Sequence, residues 1–152
     1  MTNNNNIILP ITLCYVDDDK DDLDIFEQAI EPFVEKVVLF QISADFLSSM
    51  KQLPLSAIVF VDLNMPSFTG FQIIEFMRIK KRFKKLPIIV LSTSIDHRTK
   101  QTCWELGADF CIVKPRQIQE LTSALKYVIN IDWTTHERSF ENFIFQYDTR
   151  TT

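Results

Sequence analysis

Four short stretches of this chain carry side chains that could do chemistry together. Asp17, Asp18 and Asp19 stand in a row; Asp62 follows an apolar run at 57–61, Ser92 follows one at 88–91, and Lys114 with Pro115 follows one at 110–113. Carboxylates gathered in one pocket repel each other, and without compensation at least one of them is driven to keep its proton. A divalent cation removes that conflict. Oxygen-only donors with room for water suit Mg2+, which prefers octahedral coordination and gives up its water reluctantly. The same ion neutralises the oxygens of an incoming phosphoryl group. Lys114 adds a point charge for that group, and the Ser92 hydroxyl can donate to another of its oxygens. Phosphoryl transfer asks mainly for positioning and charge neutralisation. Asp62 is then the nucleophile, ending as an acyl phosphate.

Residues so far apart in sequence meet only if regular elements bring them together. Runs at 11–16, 37–42, 57–61, 88–91 and 110–113 read as strands. The first, third and fourth are almost continuously apolar, as parallel strands covered on both faces are. Helical spacing lies between them: Leu23, Phe26, Ile30 and Phe33; Phe71, Ile74 and Met77; Ile118, Leu121, Leu125 and Val128. Strands alternating with helices imply right-handed crossovers and a doubly wound α/β sheet. Five of each fit the flavodoxin-like (βα)5 fold with a parallel sheet of order 2-1-3-4-5, whose ligand crevice lies at the carboxyl ends of the strands. In that order strands 1, 3, 4 and 5 are neighbours, and the ends carrying Asp17–Asp19, Asp62, Ser92 and Lys114 open onto one crevice.

The bulk properties agree with one such domain. The chain has 152 residues, of which 46% are hydrophobic, enough for a sizeable core. A net charge of −4 gives no reason to expect bulk affinity for nucleic acid. Positions 1–10 show no signal-peptide pattern, and the longest apolar runs fall far short of the roughly 20 residues that span a bilayer. Three cysteines without Cys-x-x-Cys spacing read as reduced thiols, so a cytoplasmic protein is expected. The expected division is a flexible N-terminus at 1–10, a domain at 11–131 and a C-terminal extension at 132–152. That extension carries Trp133, Phe140, Phe143, Phe145 and Tyr147. Free tails are poor in aromatics, so some of these rings should pack on the domain or on a partner. The two glycines, Gly70 and Gly107, should each mark a place where the backbone needs one.

Four motifs in order, each at a strand end, resemble the receiver domains of two-component response regulators, the family of the chemotaxis regulator CheY. They are Val16-Asp17-Asp18-Asp19, Asp62-Leu63-Asn64-Met65-Pro66 with Gly70 following, Leu91-Ser92-Thr93-Ser94, and Val113-Lys114-Pro115. The resemblance covers 11–131. It implies that Asp62 is the phosphoacceptor and that Asp17 and Asp18 are the acidic pair at Mg2+, with Asp18 favoured as the direct ligand. It implies further that Asp62 and the Asn64 backbone carbonyl complete the protein ligands, that Ser92 is the switch hydroxyl and that Lys114 pairs with the phosphoryl group. Pro66 and Gly70 shape the loop after the acceptor, and the 114–115 peptide bond is often cis in this family, which proline permits. One position departs from the pattern. The family usually has Tyr or Phe three residues before its lysine, where this chain has Cys111. The neighbouring Phe110 points the opposite way along a strand and cannot stand in for it.

By the same resemblance the chain is a phosphoacceptor switch that assists its own phosphorylation and dephosphorylation, not an enzyme. Its expected partners are a sensor histidine kinase, recognised through 22–31 and 115–117, and an unknown downstream protein. The fourth and fifth helices could support a homodimer; no DNA and no membrane are expected as partners. With only about twenty residues after the last helix, no output module is expected. The resemblance is closest to single-domain receivers with a short C-terminal extension, a class that includes partners of bacterial phytochrome-type histidine kinases. Other readings meet obstacles. A haloacid-dehalogenase-type phosphatase needs a second Asp two positions after its nucleophile, where this chain has Asn64. A flavodoxin-like cofactor site wants a Ser, Thr or Gly phosphate loop after the first strand, and three aspartates there would repel the phosphate. A receiver used mainly for docking stays open. Asp19, Asp21 and Asp22 read as the cap and first-turn acids of the first helix. The basic run Arg78, Lys80, Lys81, Arg82, Lys84 and Lys85 reads as a solvated face complementing the end of the third helix rather than a nucleic-acid patch. Cys111 reads as a buried inert thiol, and His97 and His136 have no ligand spacing.

Overall fold

Every position of the runs at 57–61 and 88–92 is buried, which a continuously apolar strand achieves only with a layer packed on each face. A computed structural model describes residues 7–148. Its elements are β1 (Leu9–Val16), α1 (Lys20–Ile30), β2 (Val34–Phe40), α2 (Ser43–Ser49), β3 (Ala57–Val61), α3 (Gly70–Ile79), β4 (Ile88–Ser92), α4 (His97–Leu106), β5 (Phe110–Val113) and α5 (Ile118–Ile129). The sheet is parallel in the order β2-β1-β3-β4-β5, the flavodoxin-like order expected.

Alternation along the strands divides the interior in two. Leu13, Tyr15, Phe60, Ile89 and Ile112 face α1 and α5, meeting Phe26, Ile30, Leu121, Leu125 and Val128. Cys14, Val16, Val59, Val61, Val90 and Cys111 face the other way, toward Phe46 of α2, Ile73, Ile74 and Met77 of α3, and Cys103 of α4. Phe26 and Phe60 are fully buried and meet edge to face at 5.1 Å; burying each ring contributes about 1.5–3 kcal/mol.

The helix ends follow local chemistry. Asp19 caps α1 by accepting from the N–H groups of Asp21 and Asp22. Thr69 and Gln72 form a capping box on α3. Gly107 ends α4 in the left-handed region at φ 101°. The second strand lies earlier than its apolar run suggests, because the turn Glu31–Phe33 with Pro32 delivers Val34 directly to pair with Leu9. Ile42, expected in that strand, stands 58% exposed ahead of α2. Phe33, spaced as a helical residue, belongs to that turn. β1 begins at Leu9, whereas 1–6 of the expected flexible terminus lie outside the described residues. Among the described residues there is no cis peptide bond, so the bond between Lys114 and Pro115 is trans, against the expectation drawn from the family. No described helix is long and apolar enough to cross a membrane.

After α5 the chain returns along the free side of β5. Ile144 forms a parallel bridge with Cys111, whose N–H donates to the Phe143 carbonyl at 2.9 Å and whose carbonyl accepts from the Phe145 N–H at 2.8 Å. Phe143 is buried among Cys111, Cys103 and Trp104, while Trp133, Phe145 and Tyr147 pack on the opposite core. The aromatic content of the extension is thus used within the molecule.

Candidate functional site

Main-chain hydrogen bonds tie the strand ends together. The Asp17 N–H donates to Phe40 O at 3.0 Å, the Asp62 N–H to Val16 O at 3.0 Å, and the Lys114 N–H to Ser92 O at 2.7 Å. Below Asp62, α3 approaches so closely that a Cβ on Gly70 would lie 2.2 Å from the Asp62 carbonyl oxygen. The intervening loop is folded by Ser43, whose hydroxyl donates to Pro66 O and accepts from the Phe68 N–H, both at 3.3 Å, with Ser67 at φ 68°.

Asp17, Asp18 and Asp62 each offer a carboxylate oxygen within 4.8 Å of the others. Lys114 Nζ reaches into this group, at 2.7 Å from Asp17 Oδ2 and 3.3 Å from Asp62 Oδ1. A fourth acid joins: Asp22 Oδ2 lies 2.8 Å from the same ammonium. From the sequence, Asp22 is expected at the helix start and in the kinase-recognition segment 22–31, but not among the site acids. The available signal was its place one turn into a helix whose cap, Asp19, is adjacent to the predicted metal pair. Asp17 is 1% exposed, accepting also from Asp19 N–H at 2.9 Å and from the Tyr15 hydroxyl.

Burial drives the electrostatics. It pushes the Asp62 carboxyl up to about 6, with Lys114 pulling it down and Asp17 and Asp18 pushing it further up. Burial works to lower the Lys114 ammonium, but Asp17, Asp22 and Asp62 outweigh it and hold the group above its usual range. Burial, reinforced by Asp17, also raises the Tyr15 phenol, which stays a donor. A crowd of oxygen donors with one ammonium, in which one carboxyl still titrates near neutrality, fits a hard divalent cation: that charge would relieve the remaining repulsion.

Two expected site residues lie outside the carboxylate cluster. Ser92 is fully buried at the end of β4, and its hydroxyl donates to Ser94 O at 3.4 Å. Asn64 stands exposed two residues beyond Asp62. Beside the cluster, a groove of about 250 Å³ runs between α1 and the loop before α5, lined by Asp22, Ile25, Gln28, Lys114, Pro115 and Arg116 among others. Ile25 is 42% exposed there.

Elsewhere the structure separates residues that the sequence ran together. Arg78, the first of the basic run, is half-buried. It pairs with Asp109 at 2.7 Å and donates to the carbonyls of Gly107, Phe83 and Leu86, so it is an internal tie and not part of the charged face. Lys80, Lys81, Arg82, Lys84 and Lys85 are exposed as expected. Phe110 and Cys111 fall in opposite cores, as strand alternation requires.

Comparison with known proteins bears on the family and the fold. The chain is 26% identical over 117 residues to protein RcaC of Microchaete diplosiphon, covering 77% of this chain and 18% of that protein. It is 26% identical over 135 residues to the transcriptional regulatory protein GltR of Pseudomonas aeruginosa, covering 89% and 55%. With chemotaxis protein CheY1 of Helicobacter pylori it shares 32% identity over 72 residues, covering 47% and 58%. The chain thus spans less than two thirds of the length of each of these relatives. Its fold matches that of the phosphorylated cyanobacterial phytochrome response regulator RcpA with a TM-score of 0.72 at 20% identity, covering 85% of this chain and 98% of that one. It also matches chemotaxis response regulator CheY4 of Vibrio cholerae, with a TM-score of 0.69 at 24% identity, covering 78% and 98%. A family model described as the response regulator receiver domain matches residues 13–126. That span runs from within β1 into α5 and takes in the carboxyl end of every strand; the chain belongs to the response-regulator receiver domains of two-component signalling.

Proposed function

We propose that this receiver accepts a phosphoryl group on Asp62 and passes the resulting state to a protein partner. The observation that carries the reading is the meeting of the Asp17, Asp18 and Asp62 carboxylates within 4.8 Å, with Lys114 Nζ 3.3 Å from Asp62. Asp17, Asp18, Asp62 and the Asn64 backbone carbonyl would hold Mg2+. When bound, the ion supplies positive charge to the acids and to the oxygens of the transferring group.

The rest falls to the chain's own residues. An Asp62 carboxylate oxygen attacks the phosphorus, forming the acyl phosphate, while the bond from phosphorus to the donor atom breaks and its electron pair leaves with the donor. Lys114, already between three carboxylates, pairs with a phosphoryl oxygen. The long hydrogen bond from Ser92 to Ser94 O is easily exchanged for one to the phosphoryl group. The donor is a sensor histidine kinase that docks in the groove beside α1, where Ile25 and Arg116 are available. The added charge of roughly −1.5 to −2 then biases the β4–α4 and β5–α5 regions toward a second arrangement that an unidentified downstream protein reads. In this reading 11–131 form the receiver and 132–152 an extension, and the protein works in the cytoplasm, in keeping with three buried free thiols. It is a switch rather than an enzyme with multiple turnover.

Incubation with phosphoramidate or acetyl phosphate and Mg2+ should add one phosphoryl group by intact mass. Asp62→Asn, or chelation of the metal, should abolish it. Stoichiometric labelling of the Asp62→Asn protein at another residue would overturn the assignment. Sustained hydrolysis of small phosphate esters would favour a phosphatase instead.

A further inference from the structure

The peptide unit between Val113 and Lys114 is gripped from both sides. Its N–H donates to the Ser92 carbonyl at 2.7 Å, and its C=O accepts from the Tyr147 hydroxyl at 2.8 Å. The first partner belongs to the neighbouring strand β4. The second comes from the extension, 34 residues further along the chain.

We propose that Tyr147 is a positioning residue for Lys114, making phosphoryl transfer to Asp62 depend on how the extension is seated against β5. The rate claim rests on the reading of Asp62 as phosphoacceptor. β5 has four residues and is last in the sheet order, with β4 as its strand neighbour on one side. An edge strand presents unpaired N–H and C=O groups and is held less firmly than an inner one. Yet this strand leads directly into Lys114, whose ammonium must serve Asp17, Asp22 and Asp62 together. Where that ammonium sits depends on where the Lys114 backbone sits.

The extension supplies the missing restraint in register. Phe143 and Phe145 bracket Cys111 by main-chain hydrogen bonds, and two residues further along both segments Tyr147 meets Val113. Phe143 is buried and meets Trp104 edge to face at 5.3 Å, which anchors the segment on α4. The Tyr147 ring packs on Phe145 at 5.0 Å, which aims the hydroxyl. Burial, with Glu120 adding to it, pushes the phenol up to about 12, so the donor persists across the physiological range.

The test compares full-length Tyr147→Phe, which keeps the ring and removes only the hydroxyl, with Trp133→Phe. The latter loses another hydrogen bond of the extension, to Val128 O and away from Lys114. By NMR hydrogen exchange without any phosphoryl donor, the Lys114 amide should exchange about threefold to tenfold faster in Tyr147→Phe, the span expected for one hydrogen bond. The Phe145 amide should keep its protection, and Trp133→Phe should leave Lys114 unchanged. Labelling by phosphoramidate with Mg2+ should slow by a similar factor in Tyr147→Phe and stay at the wild-type rate in Trp133→Phe. An unchanged Lys114 amide in Tyr147→Phe overturns the inference. So does wild-type labelling by that variant, or equal slowing by both variants. If the wild type is not labelled at all, the phosphoacceptor reading fails, while the amide comparison still decides whether Tyr147 positions Lys114.

Discussion

At the scale of residues, the crevice is an electrostatic compromise in which one ammonium serves three carboxylates. Asp62 bears the cost, and the sign of its effect on stability can be worked out. Its folded value of about 6 lies above the ordinary 3.8. The folded state therefore binds the proton more tightly than the unfolded chain, and stability falls as pH rises from about 4 to about 6. In the absence of divalent cations, Asp62→Asn should be more stable than wild type at pH 7.5, by on the order of 1–2 kcal/mol in urea unfolding. The gain should vanish near pH 4. An Asn variant weaker than wild type at both pH values would show that burial does not penalise this carboxylate. Lys114→Met removes the compensating charge and should cost roughly 2–4 kcal/mol at neutral pH. Added Mg2+ should recover part of that loss, read from the same unfolding curves. The positions of Asp17, Asp62 and Lys114 were legible because each is the first polar residue after an apolar strand, and Asp18 because it follows Asp17 directly. The direction of the Ser92 hydroxyl and the reach of Asp22 to Lys114 were not: a local partner, Ser94 O, decides the first, and a tertiary contact between residues 92 positions apart decides the second.

At the scale of elements, the close passage of α3 beneath Asp62 leaves no room for a side chain at Gly70. Gly70→Ala would place a methyl group 2.2 Å from the Asp62 carbonyl oxygen. Backbone must yield, at a cost of about 1–3 kcal/mol or more. A lowered thermal midpoint together with slower labelling of Asp62 is the expected result. Labelling at the wild-type rate would mean that α3 can back away without disturbing the acceptor. The strands were readable from sequence where burial on both faces makes every residue apolar, as in β3 and β4. β2 was misplaced because its exposure pattern is mixed and Pro32 sets its start. α2 and α4 gave little periodic signal: α2 has only 7 residues, and Cys103 is the one fully buried residue of α4. Arg78 was misread because a cation beside five others looks solvated until Asp109, a distant partner, is brought beneath it.

At the scale of the whole molecule, metal binding should stabilise the fold by mass action, since the three acids are brought together only in the folded chain. The thermal midpoint should rise with Mg2+ concentration in the wild type and much less in Asp62→Asn; equal shifts would point to binding elsewhere. The sheet order followed from fitting the alternating strands and helices to the flavodoxin-like arrangement, but the path of residues 132–148 did not, because aromatic content says that rings are buried and not against what. The bridge between Ile144 and Cys111 also shields the sheet from its own kind. Any second chain that sought to add a strand beside β5 would first have to peel off a segment anchored by the buried ring of Phe143. Edge-to-edge association is therefore blocked at that margin by the protein itself, and assembly there must proceed through side chains rather than through shared backbone.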